Sequence, residues 1–182
     1  TNYLAGEIRT PKLSPDSPAF DESEKAVNSK IERLLSIKGR HNAASFHKRL
    51  GKIMWDYCGM VRNEAGLSKA LEMISELRKE FWTDLMVPGN GRELNQELEK
   101  AGRVADFLEL GELMITDALN RKESCGAHFR EESQTEDGEA KRIDSEYAYV
   151  AAWEYKGEGV APELNREHLK FEFVELKERS YK

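Results

Sequence analysis

"LNQELEKAGRVADFLELGELMITDAL", residues 94–119, decides how the rest of the chain is read. Leu94, Leu98, Ala101, Ala105 and Leu108 recur at alternating steps of four and three, and the pattern continues through Leu113 to Leu119. That spacing lays one apolar seam along a helical rod, so the rod expects other helices beside it. Two more rods precede it. One carries Phe46, Leu50, Ile53, Tyr57 and Val61, with Asn42 placed to cap its start. The other carries Leu67, Leu71, Ile74, Leu77, Phe81 and Leu85, with Asn63 as its cap, and "VPGNG" stops it with Pro88, Gly89 and Gly91. Short connections make sequential rods antiparallel. The expected fold is mainly α: an up-down-up three-helix bundle over residues 43–122, preceded by a short amphipathic helix with Val27, Ile31, Leu34 and Leu35 on one face.

Outside the rods the patterning changes. Residues 1–20 hold most of the prolines and read as an extended connector, leaving 21–122 as the helical region. Residues 123–182 read as a turn and a strand-containing tail that packs on the bundle. In the tail, "EYAYVAAWEY" puts Tyr147, Tyr149, Ala151, Trp153 and Tyr155 on one face at period two, and "LKFEFVEL" does the same for Leu169, Phe171 and Phe173. An antiparallel pair joined by "KGEGVAPELNREH" is the expected result. A two-stranded ribbon is marginal alone, so its aromatic face requires a cover. Gly51 and Gly111 interrupt helical stretches at a cost of about 0.8–1 kcal/mol each, which points to close approach by a neighbouring backbone.

The totals bound the function. Hydrophobic residues make up 39% of the 182 residues and charged residues 34%, with a net charge of −6 and a pI near 5.4. This argues against nucleic acid or an anionic membrane as the main partner, since both require clustered positive charge. No apolar run approaches the roughly 20 residues needed to span a bilayer. The chain opens "TNYLAGE", with no methionine and no signal peptide, and reads as an excised, intracellular piece of a larger polypeptide. Cys58 and Cys125 are far apart and are expected to be free thiols.

Chemistry-bearing side chains crowd together in "RKESCGAHFREE", residues 121–132. Cys125 and His128 are only half of a metal ligand set, and no second pair at matching spacing exists, so no metal is expected. A Cys–His nucleophile would need an orienting third group and an oxyanion hole, for which there is no sequence feature. No Gly-rich nucleotide or flavin fingerprint is present either. The segment instead follows a helix C-terminus that Arg121 and Lys122 suit electrostatically, and Gly126 suits a sharp change of direction. Glu123, Ser124, Gly126, His128 and Arg130 are its candidate interdomain contacts; a turn satisfied inside the domain is the competing reading.

Two motifs, "LGKIMWDYCGMVRNEAGL" at residues 50–67 and "RKESCGAHFREE", resemble the C-terminal domain of the succinate dehydrogenase and fumarate reductase flavoprotein subunit. The terminal "RSYK" is similar as well, and the second motif is also similar to L-aspartate oxidase. The resemblance implies a spectrin-repeat-like three-helix bundle with a small strand-containing tail. It implies a parent enzyme that interconverts succinate and fumarate, passing electrons between FAD and an iron–sulfur subunit. It further implies flavin and capping domains of the same subunit as partners, a membrane anchor in the complex, and a place on the cytoplasmic face of the inner membrane. The family's flavin-linking and dicarboxylate-binding residues lie upstream of this domain, so no catalytic, cofactor-binding or metal residue is carried over. The fragment is expected to be inactive and to hold no cofactor. The alternative is a free-standing helical interaction module; a small Cys/His hydrolase ranks behind both. One departure stands out: many members read Glu-Ser-Arg-Gly-Ala-His, and here Cys125 occupies the arginine position.

Overall fold

A computed structural model of the chain describes residues 14–91, 93–157 and 159–177. The "RSYK" ending and most of the proline-rich connector lie outside these residues. The described part is mainly helical: α1 is Pro18–Ser36, α2 Ala43–Tyr57, α3 Glu64–Asp84, α4 Gln96–Asn120 and α5 Asp144–Tyr147. Its strands are β1 (Val61–Arg62), β2 (Phe129–Arg130), β3 (Tyr149–Glu154) and β4 (Glu163–His168). Among the described residues no helix is long and apolar enough to cross a membrane.

Each long rod starts where an asparagine ends the preceding loop. The side-chain oxygens of Asn42, Asn63 and Asn95 accept from the N–H groups of Ser45, Gly66 and Leu98, at 3.0, 2.7 and 3.0 Å. Such a cap satisfies one otherwise orphaned donor and contributes about 1 kcal/mol. α1 begins at Pro18, inside the stretch read as connector, because a proline at the first helical turn loses no bond and brings a helical φ. Two other expected members fall outside the rods. Leu94 precedes the Asn95 cap and is exposed. α2 stops at Tyr57, before Gly59, and Val61 turns outward in β1.

The chain divides into two compact units, Thr1–His47 with Lys79–Asp106 and Lys48–Arg78 with Phe107–Lys182. In the first, Leu34, Ala43, Phe46, Phe81, Leu85, Val87, Ala101 and Val104 are buried. Phe46 meets Phe81 edge-on at 5.3 Å, and burying each ring contributes roughly 1.5–3 kcal/mol. The break after α1 runs against the end of α3: Gly39 N donates to Leu85 O, and Arg40 N and His41 N to Asp84 O. Here glycine is obligatory, since a Cβ at residue 39 would collide with the Asp84 backbone.

In the second unit the core is Leu50, Ile53, Leu67, Ala70, Ile74, Leu77, Leu108, Ile115 and Ala118, joined by Cys58 and Tyr149. The expected backbone approach at Gly51 and Gly111 does not occur. A Cβ on Gly51 would meet nothing within 4 Å, and Gly111 makes room for the side chains of Leu50, Met54 and Ile74.

The tail forms the expected antiparallel pair with a different second strand. β3 pairs with β4, register Tyr149↔His168 to Glu154↔Glu163, so the polar stretch "ELNREH" replaces "LKFEFVEL". Proximity along the chain and cross-strand side-chain pairs outweigh propensity here. Arg166 stacks over the Tyr149 ring at 4.8 Å, and Lys156 bridges Glu154 and Glu163. Phe171, Phe173 and Val174 follow as exposed, non-strand residues. Only Tyr149, Ala151 and Trp153 of the aromatic series share the inward face, because Tyr147 ends α5 and Tyr155 lies beyond β3. The cover for that face is the end of α4: Trp153 Nε1 donates to Asp117 at 2.8 Å, and Asn120 Nδ2 to the Tyr149 hydroxyl at 3.3 Å.

Candidate functional site

The polar cluster of residues 121–132 is built on the last turn of α4. A helix end leaves its final carbonyls without intrahelical donors. The chain leaves α4, turns at Gly126 and brings its own side chains back to a carbonyl of the last turn and to the two that follow the helix. Arg130 Nη1 donates to Ala118 O at 2.9 Å, His128 Nε2 bonds Arg121 O at 2.8 Å, and Ser133 Oγ donates to Lys122 O at 2.7 Å. A cationic group at this end also complements the helix dipole.

The turn itself is tight. Cys125 N donates to His128 O at 2.8 Å and His128 N to Cys125 O at 3.0 Å. Gly126 sits at φ +60°, where a Cβ is disfavoured. Ser124 Oγ accepts from Arg130 N at 2.8 Å and donates to Arg130 O at 3.2 Å, closing the hairpin from inside. Glu123 takes Arg121 Nη1 at 2.6 Å on one oxygen and the Ile143 N–H at 2.8 Å on the other. Arg121 in turn donates to Tyr147 O and Tyr149 O and lies over both tyrosine rings, which ties the tail to the end of α4.

The α2–α3 connection buttresses this turn. β1 pairs in parallel with β2, Val61↔Phe129 and Arg62↔Arg130, and Glu131 N donates to Arg62 O at 2.8 Å. Asn63 Nδ2 reaches Glu131 and the Glu64 N–H reaches Glu132, so two carboxylates lie at the start of α3, where the helix dipole favours them. Burial pulls the Glu132 carboxyl upward, but the Glu64 N–H and Arg130 outweigh it and hold the group below its usual range. Arg62 donates from Nε to Gly59 O and from Nη1 to His128 Nδ1 at 3.0 Å.

These bonds define the imidazole. With a carbonyl at Nε2 and a guanidinium donor at Nδ1, His128 is the neutral Nε2–H tautomer. Burial pushes its pKa down, and Arg62, Arg130 and Arg121 push it further, against the bond to the Arg121 carbonyl. Both ring nitrogens are occupied, so His128 has no lone pair for a metal or for a thiol proton. Cys125 is exposed at the turn, and Cys58 is a buried free thiol whose pKa burial raises, against the charge of Arg62.

Of the five candidate contact residues, Glu123, Ser124 and Arg130 are buried with partners in this chain, His128 is half-buried, and Gly126 is exposed. Sequence reasoning missed the Arg62–His128 pairing and the burial of Arg130. Neither has a local signal, because the partners are 66 residues apart in one case and a helix end in the other. Elsewhere His41, Glu80 and Asp84 come together, but Arg40 donates to both Asp84 oxygens and makes this an ion-paired cluster.

The end of α4 is thus capped by its own returning loop, and the β3–β4 pair is pinned to the same end. The chain belongs to the fumarate reductase flavoprotein C-terminal family, whose model matches residues 47–181. An uncharacterized FAD-dependent oxidoreductase of Methanocaldococcus jannaschii is 36% identical over 111 residues, 61% of this chain and 20% of that protein. The fumarate reductase flavoprotein subunit of Proteus vulgaris is 27% identical over 171 residues, 92% of this chain and 28% of that protein. The chain thus spans about a fifth to three-tenths of the length of these relatives. Among solved structures, the FrdA chain of a mutant E. coli quinol fumarate reductase matches with a TM-score of 0.78 over 97% of this chain and 28% of that one. At 20% identity that likeness establishes the fold alone.

Proposed function

We propose that this chain is the non-catalytic C-terminal domain of a flavoprotein subunit that interconverts succinate and fumarate, with α2, α3 and α4 as an up-down-up three-helix bundle. FAD and the dicarboxylate are held by the larger upstream part of the subunit. That part is the partner of this domain, and an iron–sulfur subunit and membrane anchor complete the complex on the cytoplasmic face of the membrane. The observation that carries this reading is the family match over residues 47–181, in a cluster whose His128 has both nitrogens engaged. Within the cluster, Glu123, Ser124 and Arg130 set the shape of the turn, and Gly126 and His128 contribute the surface presented to the flavin and capping domains. The stretch ahead of α1 connects to them.

The test compares two preparations. The complete native subunit is expected to carry FAD and to reduce fumarate with a low-potential dye. The 182-residue chain, mixed with FAD and succinate, is expected to bind no flavin and to reduce no acceptor. Turnover by the short chain overturns the non-catalytic assignment. A native subunit without flavin overturns the assignment of the parent enzyme and favours a free-standing interaction module.

A further inference from the structure

His128 occupies an unusual position for a group that titrates near neutrality. It joins two parts of the second unit that are distant in sequence: Nε2–H holds the Arg121 carbonyl at the end of α4, and Nδ1 receives Arg62 from the α2–α3 connection. The bond from Arg62 exists only while Nδ1 is unprotonated, since a guanidinium has no acceptor. The groups around the ring are one-sided in charge. Arg62 faces it from β1, Arg121 from the end of α4 and Arg130 from β2. The carboxylates of the cluster are already engaged: Glu123 by Arg121 and the Ile143 N–H, Glu131 by Asn63, and Glu132 by Arg130 and the Glu64 N–H. The nearby thiol Cys58 is buried and offers no counter-charge.

We infer that His128 is an acid-operated latch: neutral, it fastens the β1 segment to the capped end of α4, and protonated, it expels Arg62 and releases β1 from β2. Protonation turns one hydrogen bond into a donor–donor contact and adds a cation among three guanidiniums, while the Nε2–H bond to Arg121 O survives. The loosening is therefore directional. The α4 cap by Arg130 and Ser133 stays in place, and the short parallel pair Val61–Arg62 with Phe129–Arg130 is what opens. The depressed pKa agrees in sign. The unfolded chain binds the proton near pH 6.5 and the folded one only lower, so the contribution of the latch is complete above 6.5 and is lost as pH falls through the folded pKa.

The test uses the full 182-residue chain and two NMR readouts between pH 5 and 8. One is the titration of the His128 ring; the other is exchange of the Glu131 amide, whose acceptor is Arg62 O, normalised to its intrinsic rate. The wild type is expected to titrate below 6.5, with Glu131 exchange rising about tenfold as the ring protonates, the equivalent of one lost hydrogen bond. His128→Gln cannot titrate, and its Glu131 exchange is expected to stay flat. Arg62→Gln is expected to bring His128 back toward its ordinary pKa and to remove the pH dependence of Glu131. A ring that titrates at or above 6.5, one that stays neutral down to pH 5, or one that protonates without any change at Glu131 overturns the latch.

Discussion

Removal of the Arg130 guanidinium measures what the returning loop does for α4. Arg130 is 2% exposed, its Nη1 serves Ala118 O at 2.9 Å, and its Nε serves Glu132 at 3.0 Å. Arg130→Met keeps most of the aliphatic stem and deletes both bonds. Ala118 O, one of the last carbonyls of a buried helix end, then lacks that donor, at a cost of about 1–3 kcal/mol. Glu132 also loses a partner, but its side chain is 46% exposed and water replaces the bond, so that part stays below ~1 kcal/mol. Against these stands relief from holding a cation away from water. The net expectation is a loss of about 2 kcal/mol, or roughly 4–8 °C in Tm for a chain of this size. Arg130→Ala adds an empty stem volume and is expected to cost about 3–4 kcal/mol.

Urea unfolding followed by circular dichroism reads the shift in midpoint, and hydrogen exchange at residues 118–122 localises it. The expected pattern is Ala worse than Met, with faster exchange confined to the end of α4 and to the hairpin. If Arg130→Met matches or exceeds the wild type in stability, Ala118 O has another donor and the side-chain cap contributes nothing. If stability falls but exchange at the α4 end is unchanged, the loss is packing and the cap is equally refuted.

Three further outcomes follow from the same geometry. Gly39→Ala drives a Cβ into the Asp84 backbone and is expected to unfold the first unit, with loss of the Phe46–Phe81 contact in near-ultraviolet dichroism. Gly126→Ala meets open space, so its cost is backbone strain alone, roughly 1–2 kcal/mol by urea titration, and Gly126→Asn is expected to cost less. A maleimide at pH 7.5 is expected to label exposed Cys125 rapidly and buried Cys58 only in denaturant, as read by mass spectrometry; equal rates would contradict the packing of the α2 end.

The helices were legible because their signals are local. A seam at steps of four and three, an asparagine three residues before the first bonded N–H, and a Pro–Gly stop all act within a turn or two. Asn42 and Asn63 cap as read for that reason. Leu94 and the start of α1 were misread at local boundaries, and the other misread places depend on tertiary partners. "LKFEFVEL" has the better β pattern, yet β3 takes the nearer "ELNREH", where Lys156, Arg166 and His168 make cross-strand contacts that propensity does not register. Val61 fits the helical step, but Gly59 lowers the gain from extending α2 and the β2 edge offers its backbone partners. The candidate site was found by composition, and its chemistry was not legible there. Imidazole, thiol and guanidinium suggest catalysis until His128 and Arg130 prove to bond carbonyls at the helix end and the thiol proves to face solvent.

Cys125 separates the two jobs of that segment. Every bond through which residue 125 holds the hairpin is a main-chain bond, to His128 N and His128 O. Its side chain points to solvent, so the fold places no demand on its identity. Ser124 and Arg130, by contrast, are buried and use side-chain atoms for closure. A different side chain at 125 would therefore leave the main-chain closure of the hairpin intact. Its nearest charged neighbour of note is Arg142, whose charge is already matched by a bidentate Asp144. The turn is held in shape by its inward residues Ser124 and Arg130, while residue 125 faces outward. A thiol there cannot replace a bidentate ion pair.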